Sequence, residues 1–155
     1  PYKNVPKKII AEKFITDKEH DDLTDYKFYC FNGEPKYCQV IRGRNTMETI
    51  DFYDMEWNHM PFVGLVPVKK SATDFALANG LDPVSKPVCL GDMAIVCQKL
   101  SQNLPFSRID LYVVDHKIYF GEITLFPASG FGEFRPAEWN NKFGDLLELN
   151  NSENE

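Results

Sequence analysis

The stretch RIDLYVVDHKIYFGEIT, residues 108–124, decides the fold, because it predicts two largely apolar strands joined by a short polar turn. A three-residue turn at 115–117 sets a register with these opposing pairs: Tyr112 and Phe120, Asp110 and Glu122, Arg108 and Thr124. A two-residue turn would instead place the two carboxylates on opposite faces of the sheet. We predict the longer turn, which gathers the four polar residues on one face at the far end of the hairpin.

This polar face needs a positive charge. Asp110 and Glu122 repel each other when they stand opposite, and burial of unpaired carboxylates is costly. Arg108 or a nearby lysine would give a structural ion cluster. A divalent cation is the alternative, since two carboxylates and the Thr124 hydroxyl are suitable hard ligands. The glycine-rich loop at 127–134 favours the cation, because such a turn can approach a phosphate or an acceptor.

The rest of the chain predicts further strands around this hairpin. Asn32-Gly33 is the strongest short-range hairpin signal, so the runs on either side of it are expected to pair antiparallel. A strand at the sheet edge and a short N-terminal strand, KKIIAEKFI, complete the set. The predicted strands outside the first hairpin are 7–15, 25–31, 36–42 and 49–57.

Helices are predicted beside the sheet. Residues 88–104 place an apolar stripe at spacings of three and four, namely Leu90, Met93, Ala94, Cys97 and Leu100. A short helix is expected near 71–79, and the segment after Pro136 is helical or irregular. The predicted fold class is therefore α+β, an antiparallel sheet with flanking helices.

Composition excludes several classes of protein. The chain has 155 residues, 43% of them hydrophobic, which predicts one soluble domain with its own core. A net charge of -6 gives no long-range attraction for nucleic acid, and no apolar run is long enough to span a membrane. We expect a cytoplasmic protein, or one peripheral at the inner membrane face. The four cysteines lack metal-binding spacing and are expected to be buried, reduced thiols.

Five phrases, taken in order, resemble the TupA-like ATP-grasp family, which is associated with bacterial teichuronopeptide and capsular polysaccharide synthesis. They are KKIIAEKFI, DYKFYCFNGEPKY, FYDMEW, RIDLYVVDHKIYFGEIT and FPASGFGEF. The resemblance runs from Lys7 to about Gly144. It implies an ATP-grasp-like C-terminal domain at 1–147, belonging to a longer protein, followed by a polar tail at 148–155.

The resemblance also implies roles for individual residues. In the family, a strand reading E-K-aromatic-aliphatic passes the adenine, and a hairpin carries R-x-D and E-x-N. The implied ATP-binding residues are Glu12, Lys13, Phe14 and Ile15, with Glu19 at the ribose. Asp110, Glu122 and Thr124 would bind Mg²⁺. Arg108 and Lys27 would act on the transferring phosphoryl group or the substrate.

Two departures from the family pattern bear on activity. Thr124 stands where many ATP-grasp ligases have asparagine. The family's phosphate-gripping lysines and glycine-rich loop lie N-terminal to the E-K-x-x strand, and this chain starts only a few residues before that strand. The chain alone is therefore expected to hold part of a catalytic site.

The implied function is that of an ATP- and Mg²⁺-dependent carboxylate–amine ligase in surface polysaccharide biosynthesis. Its small-molecule partners would be the nucleotide and a saccharide or amino-acid acceptor. A glycosyltransferase is one alternative, although the sequence lacks a D-x-D motif, its closest acidic pair being Asp21-Asp22. A non-catalytic ATP-grasp remnant acting as a binding module is the other.

Overall fold

A computed structural model describes residues 3–16, 23–43, 48–66 and 79–149. Within these ranges the strands are β1 (Asp25–Phe31), β2 (Glu34–Arg42), β3 (Thr49–Asp54), β4 (Val63–Val66), β5 (Phe106–Val114), β6 (Lys117–Thr124) and β7 (Glu133–Arg135). The helices are α1 (Leu90–Ser101) and α2 (Glu138–Gly144), and a 3₁₀ turn covers Pro127–Gly130.

Five of the strands form one antiparallel sheet, in the order β3-β2-β1-β5-β6. Strands β4 and β7 pair separately. The predicted α+β class, with an antiparallel sheet and flanking helices, is confirmed. In the described part of the chain, no helix is both long enough and apolar enough to cross a membrane.

The β1–β2 hairpin forms where Asn32-Gly33 predicted it. Both residues have positive φ, 52° and 83°, which is the backbone of a tight two-residue turn. Such a turn twists in the same sense as the strands it joins, which favours their antiparallel pairing.

The β5–β6 hairpin differs from its prediction in the turn but not in the polar register. Its turn has two residues, Asp115 and His116, both with positive φ, and Val114 pairs with Lys117. The three-residue turn is therefore wrong, and so is the predicted pairing of Tyr112, whose partner is Tyr119. A β-bulge at Gly121 supplies the missing residue. Beyond it the predicted pairs are restored: Asp110 with Glu122, and Arg108 with Thr124.

One face of the sheet packs against α1. The helix buries Leu90, Met93 and Cys97, which confirms the predicted stripe, and it begins and ends inside the predicted 88–104. The cysteines are free: Cys30, Cys38 and Cys97 are buried, and Cys89 is half-buried, as predicted for reduced thiols.

The opposite face is divided between an aromatic half and a charged half. The aromatic cluster packs α2 and the β4–β7 pair against the sheet through Tyr29, Phe31, Phe52, Phe62, Phe134, Trp139 and Phe143. The remaining half of this face holds the candidate site.

Two predictions about elements fail or lie outside the described ranges. Residues 7–15 form no strand, and their apolar side chains are largely exposed, with Phe14 at 86%. A strand needs a partner for its backbone groups, and none of the described strands pairs with this segment. The predicted short helix at 71–79 falls almost wholly outside the described residues.

Candidate functional site

The charged half of the sheet forms the floor of a cleft of about 600 Å³. Its lining residues are Glu12, Ile15, Asp25, Lys27, Gln39, Ile41, Ile50, Arg108, Asp110, Tyr112, Phe120, Gly121 and Glu122. The neighbouring central strands β1 and β5 supply four of the charged side chains, Asp25, Lys27, Arg108 and Asp110, and the edge strand β6 supplies Glu122. The cleft therefore has a rigid floor.

Lys27 lies between two buried carboxylates. The register of β1 and β5 places it opposite Asp110, and Asp25 lies two residues earlier on the same face. The Lys27 Nζ atom is 2.9 Å from Asp25 Oδ2 and also forms an ion pair with Asp110 Oδ2. All three side chains are at most 9% exposed. A buried ammonium is tolerated here because it is paired on both sides.

Arg108 reaches the other three polar groups. Its Nε and Nη2 atoms lie 2.7 and 2.8 Å from the two oxygens of Asp110, a bidentate ion pair. The same Nη2 lies 2.9 Å from Glu122 Oε1 and 3.0 Å from Thr124 Oγ1. The Thr124 hydroxyl donates to Glu122 Oε1 at 3.1 Å. We call Asp25, Lys27, Arg108, Asp110 and Glu122 the ion cluster.

Burial and ion pairing have opposing effects on the pKa values of the cluster residues. Burial raises the pKa of Asp110, although hydrogen bonds and ion pairs with Arg108 and Lys27 oppose the shift. The hydrogen bond from Thr124 lowers the pKa of the more exposed Glu122. Burial disfavours the charged form of Arg108, yet its bonds to Asp110 raise the pKa of the guanidinium overall. Arg108 and Glu122 are accordingly charged at neutral pH.

Arg108 and Lys27 supply the positive charge that the paired carboxylates need. This is the structural ion cluster that the sequence predicted as one of two alternatives, the other being a divalent cation. The donor set also suits a hard cation. The oxygens of Asp110, Glu122 and Thr124 converge on one point, the Arg108 Nη2 atom. No group of three or more His, Cys, Asp or Glu side chains lies within metal-binding reach in the described ranges. A cation here would depend on two carboxylates, a hydroxyl and water or ligand oxygens.

The structure brings only part of the predicted nucleotide-binding segment to the cleft. Glu12 and Ile15 line it, whereas Lys13 and Phe14 have exposed side chains and do not. Glu19 lies outside the described residues. The strand that was expected to bind the adenine, at residues 7–15, is not formed.

Sequence reasoning missed several residues of the cleft. Asp25 and Gln39 face it from β1 and β2, and Gln39 accepts a hydrogen bond from the Tyr29 hydroxyl at 3.3 Å. The two-residue spacing of Asp25 and Lys27 was a usable signal, because it puts both on one face of a strand. The positions of Tyr112 and Gly121 in the cleft depend on the β-bulge at Gly121, which the sequence did not predict.

Gly121 is expected to tolerate no side chain without adjustment. A Cβ atom there would lie 3.0 Å from Tyr112 Cε2 and 3.1 Å from the backbone oxygen of Asp110. We expect Gly121→Val to lower the free energy of unfolding by about 1–3 kcal/mol, through overpacking at the bulge. Urea denaturation measures the loss. Gly91→Val on exposed α1 surface, where a Cβ meets nothing within 4 Å, provides the contrast for steric crowding. Equal losses in the two variants would contradict crowding at Gly121.

Comparison with known proteins identifies the family. The profile of the TupA-like ATPgrasp family matches residues 1–148 of the 155-residue chain. A search of curated proteins and a search of solved structures each found no significant match. The matched region includes all the cleft residues and all five phrases on which the resemblance was based. The chain belongs to the TupA-like ATP-grasp family.

Proposed function

We propose that the cleft binds ATP together with Mg²⁺, and that residues 1–147 form the C-terminal part of an ATP-grasp ligase domain. The observation that carries the proposal is the convergence of two cations and three carboxylates on one half of an open sheet face. Such a surface complements a metal-bound polyphosphate, which presents both negative oxygens and a cation.

The hairpin would supply the metal ligands. Asp110 and Glu122 would hold Mg²⁺ through carboxylate oxygens, with the Thr124 hydroxyl as a third oxygen. When bound, the ion would neutralise charge on the phosphates during transfer. Lys27 and Arg108 would contact the phosphates or the acyl group from the floor of the cleft. Their separate attachment to β1 and β5 would hold both cations in fixed positions.

The segment at 12–15 would form the nucleoside side of the site. Glu12 and Ile15 already line the cleft, and the backbone around Lys13 offers a donor and an acceptor for adenine. Phe14, at 86% exposed, has apolar surface available for a base. Glu19 is proposed to bind the ribose hydroxyls, as the family resemblance implies.

The proposed reaction is amide formation in two steps. A donor carboxylate attacks the γ-phosphorus of ATP, which releases ADP and gives an acyl phosphate. An amine then attacks the acyl carbon, which releases phosphate and leaves the amide. The family resemblance points to a saccharide or amino-acid acceptor in surface polysaccharide synthesis. ATP as substrate would place the reaction in the cytoplasm or at the inner membrane face.

Calorimetric titration of Mg²⁺-ATP into this chain tests the proposal. We expect saturable binding that Asp110→Asn/Glu122→Gln weakens by about tenfold or more, since each charge-assisted contact is worth about 1.5–3 kcal/mol. The single variant Glu122→Gln repeats the test with little risk to folding, because this side chain is 62% exposed. Glu138→Gln in α2, also 62% exposed and remote from the cleft, is the matched control.

Other nucleotides separate the alternative functions. Tight binding of a nucleotide-sugar without ATP binding would support a glycosyltransferase. Binding of neither would support a remnant with a purely structural ion cluster. Mg²⁺-ATP binding that survives the double carboxylate variant unchanged would refute the proposed metal site.

A further inference from the structure

One nitrogen atom occupies the point where the proposed metal ligands meet. Arg108 Nη2 lies 2.8, 2.9 and 3.0 Å from oxygens of Asp110, Glu122 and Thr124. These are the same three residues to which the proposed function gives the cation. No other cation of the ion cluster contacts Glu122 or Thr124 in the described structure.

We propose that the Arg108 guanidinium occupies the metal site and blocks it in the absence of nucleotide. When a nucleotide binds, the guanidinium moves to the phosphates and leaves the site to the metal ion. The inference rests on the proposed function, and it adds an order of events. A divalent cation competes with Arg108 for the same oxygens, so the metal enters with the polyphosphate and not before it.

The spacing of the oxygens is compatible with this exchange. Two oxygens bound at right angles to one Mg²⁺, each at about 2.1 Å, lie about 3.0 Å apart. Thr124 Oγ1 and Glu122 Oε1 are 3.1 Å apart with Arg108 in place. The oxygens would need to move inward by less than about 1 Å to pass from nitrogen to metal contact distances. The separation of these two oxygens is therefore compatible both with their present hydrogen bond and with shared binding to one cation.

Replacement of Arg108 by a metal ion is favourable only when an anion is present to pair with the released guanidinium. The ion cluster has three carboxylates against two side-chain cations, a formal charge of -1. Release of Arg108 by a metal alone would leave the guanidinium, 11% exposed in its paired state, without the contacts that offset its burial. A polyphosphate removes this cost, because it offers the guanidinium a bidentate partner.

Metal binding without nucleotide tests the inference. Electron paramagnetic resonance measures free Mn²⁺ in titrations of the wild-type chain and Arg108→Met. We expect Arg108→Met to bind Mn²⁺ about tenfold more tightly than wild type, since a charge-assisted competitor has been removed. Adding Glu122→Gln in the Arg108→Met background should abolish the gain. Mg²⁺ should displace the bound Mn²⁺.

Arg42→Met is the matched control. Arg42 also contacts a buried carboxylate, Asp51, at 3.4 Å, but neither residue lines the cleft. Its removal changes the net charge of the chain by the same amount and should leave Mn²⁺ affinity unchanged. An equal gain in both variants, or no gain in Arg108→Met, overturns the inference.

Two further measurements keep the test decisive. If Arg108→Met does not fold, Arg108→Lys retains a charge but not the fork, and should still gain Mn²⁺ affinity; no gain there also overturns the inference. Mg²⁺-ATP titration of wild type runs in parallel. If wild type binds Mg²⁺-ATP but the Arg108 variants show no rise in Mn²⁺ affinity, only the role proposed for Arg108 is refuted. If wild type does not bind Mg²⁺-ATP, the proposed function is refuted.

Discussion

Lys27→Met is expected to destabilise the fold by about 3 kcal/mol or more, the usual cost of removing one partner from a buried ion pair. The substitution keeps most of the apolar stem and removes the ammonium that contacts both Asp25 and Asp110. Those two carboxylates are 2% and 1% exposed in their side chains, so water cannot replace the lost charge. Urea denaturation at neutral pH measures the effect.

A second substitution identifies the cause. Asp25→Asn in the Lys27→Met background removes one buried negative charge, keeps the side-chain shape and leaves the Arg108–Asp110 pair intact, so the double variant should be more stable than Lys27→Met. Lys36→Met is the matched lysine control, because this side chain is 41% exposed and pairs with a surface glutamate. A Lys27→Met variant as stable as Lys36→Met would contradict a stabilising role for the Lys27 ammonium.

Phe143→Ala is expected to lower the free energy of unfolding by about 3–5 kcal/mol, the range for truncating a buried aromatic ring. The Phe143 ring stacks on Phe134 with centroids 4.3 Å apart and on Tyr37 at 4.9 Å, and it meets Phe62 edge-on at 5.7 Å. It therefore joins α2, β7 and β2. Loss of the ring leaves a cavity that several rigid neighbours line.

Size and burial can be separated in the same measurement. Phe143→Leu keeps most of the volume and should cost less than about 1.5 kcal/mol. Phe131→Ala truncates a ring that is 76% exposed and should change stability by less than about 0.5 kcal/mol. Tryptophan fluorescence follows unfolding, since Trp139 lies in the same cluster. Equal effects of Phe143→Ala and Phe131→Ala would contradict a packed core on this face.

Local patterns in the sequence correctly predicted the β1–β2 hairpin and helix α1. Asn32-Gly33 predicted the β1–β2 turn because few residues accept positive φ at two successive positions. The spacing of Leu90, Met93 and Cys97 predicted α1, since only a helix brings these residues onto one face. The four polar residues of the second hairpin were placed together correctly, although for the wrong reason.

That error shows which information was missing. A turn of two residues and a bulge at Gly121 together shift the register by the same amount as a turn of three. The sequence does not distinguish the two arrangements, because glycine fits either a bulge or a regular strand position. The polar pairing is the same in both, whereas Tyr112 changes partner.

Contacts between distant segments were beyond local patterns. The place of Lys27 beside Asp110 depends on β1 pairing with β5, two strands 75 or more positions apart in the chain. Strand order of this kind follows from the whole core and not from either strand. The N-terminal segment 7–15 has the composition of a strand, but no described strand pairs with it. Composition alone therefore did not determine its structure.

The most direct test of a nucleotide site in the cleft is a map of backbone amide shifts by nuclear magnetic resonance, as Mg²⁺-ATP is added to the labelled chain. Nucleotide binding in the cleft should give the largest shifts at Glu12, Lys27, Gly121 and Glu122, with little change at Met93 and Cys97 on the α1 face. Shifts concentrated on α1, or none at saturating nucleotide, would contradict it.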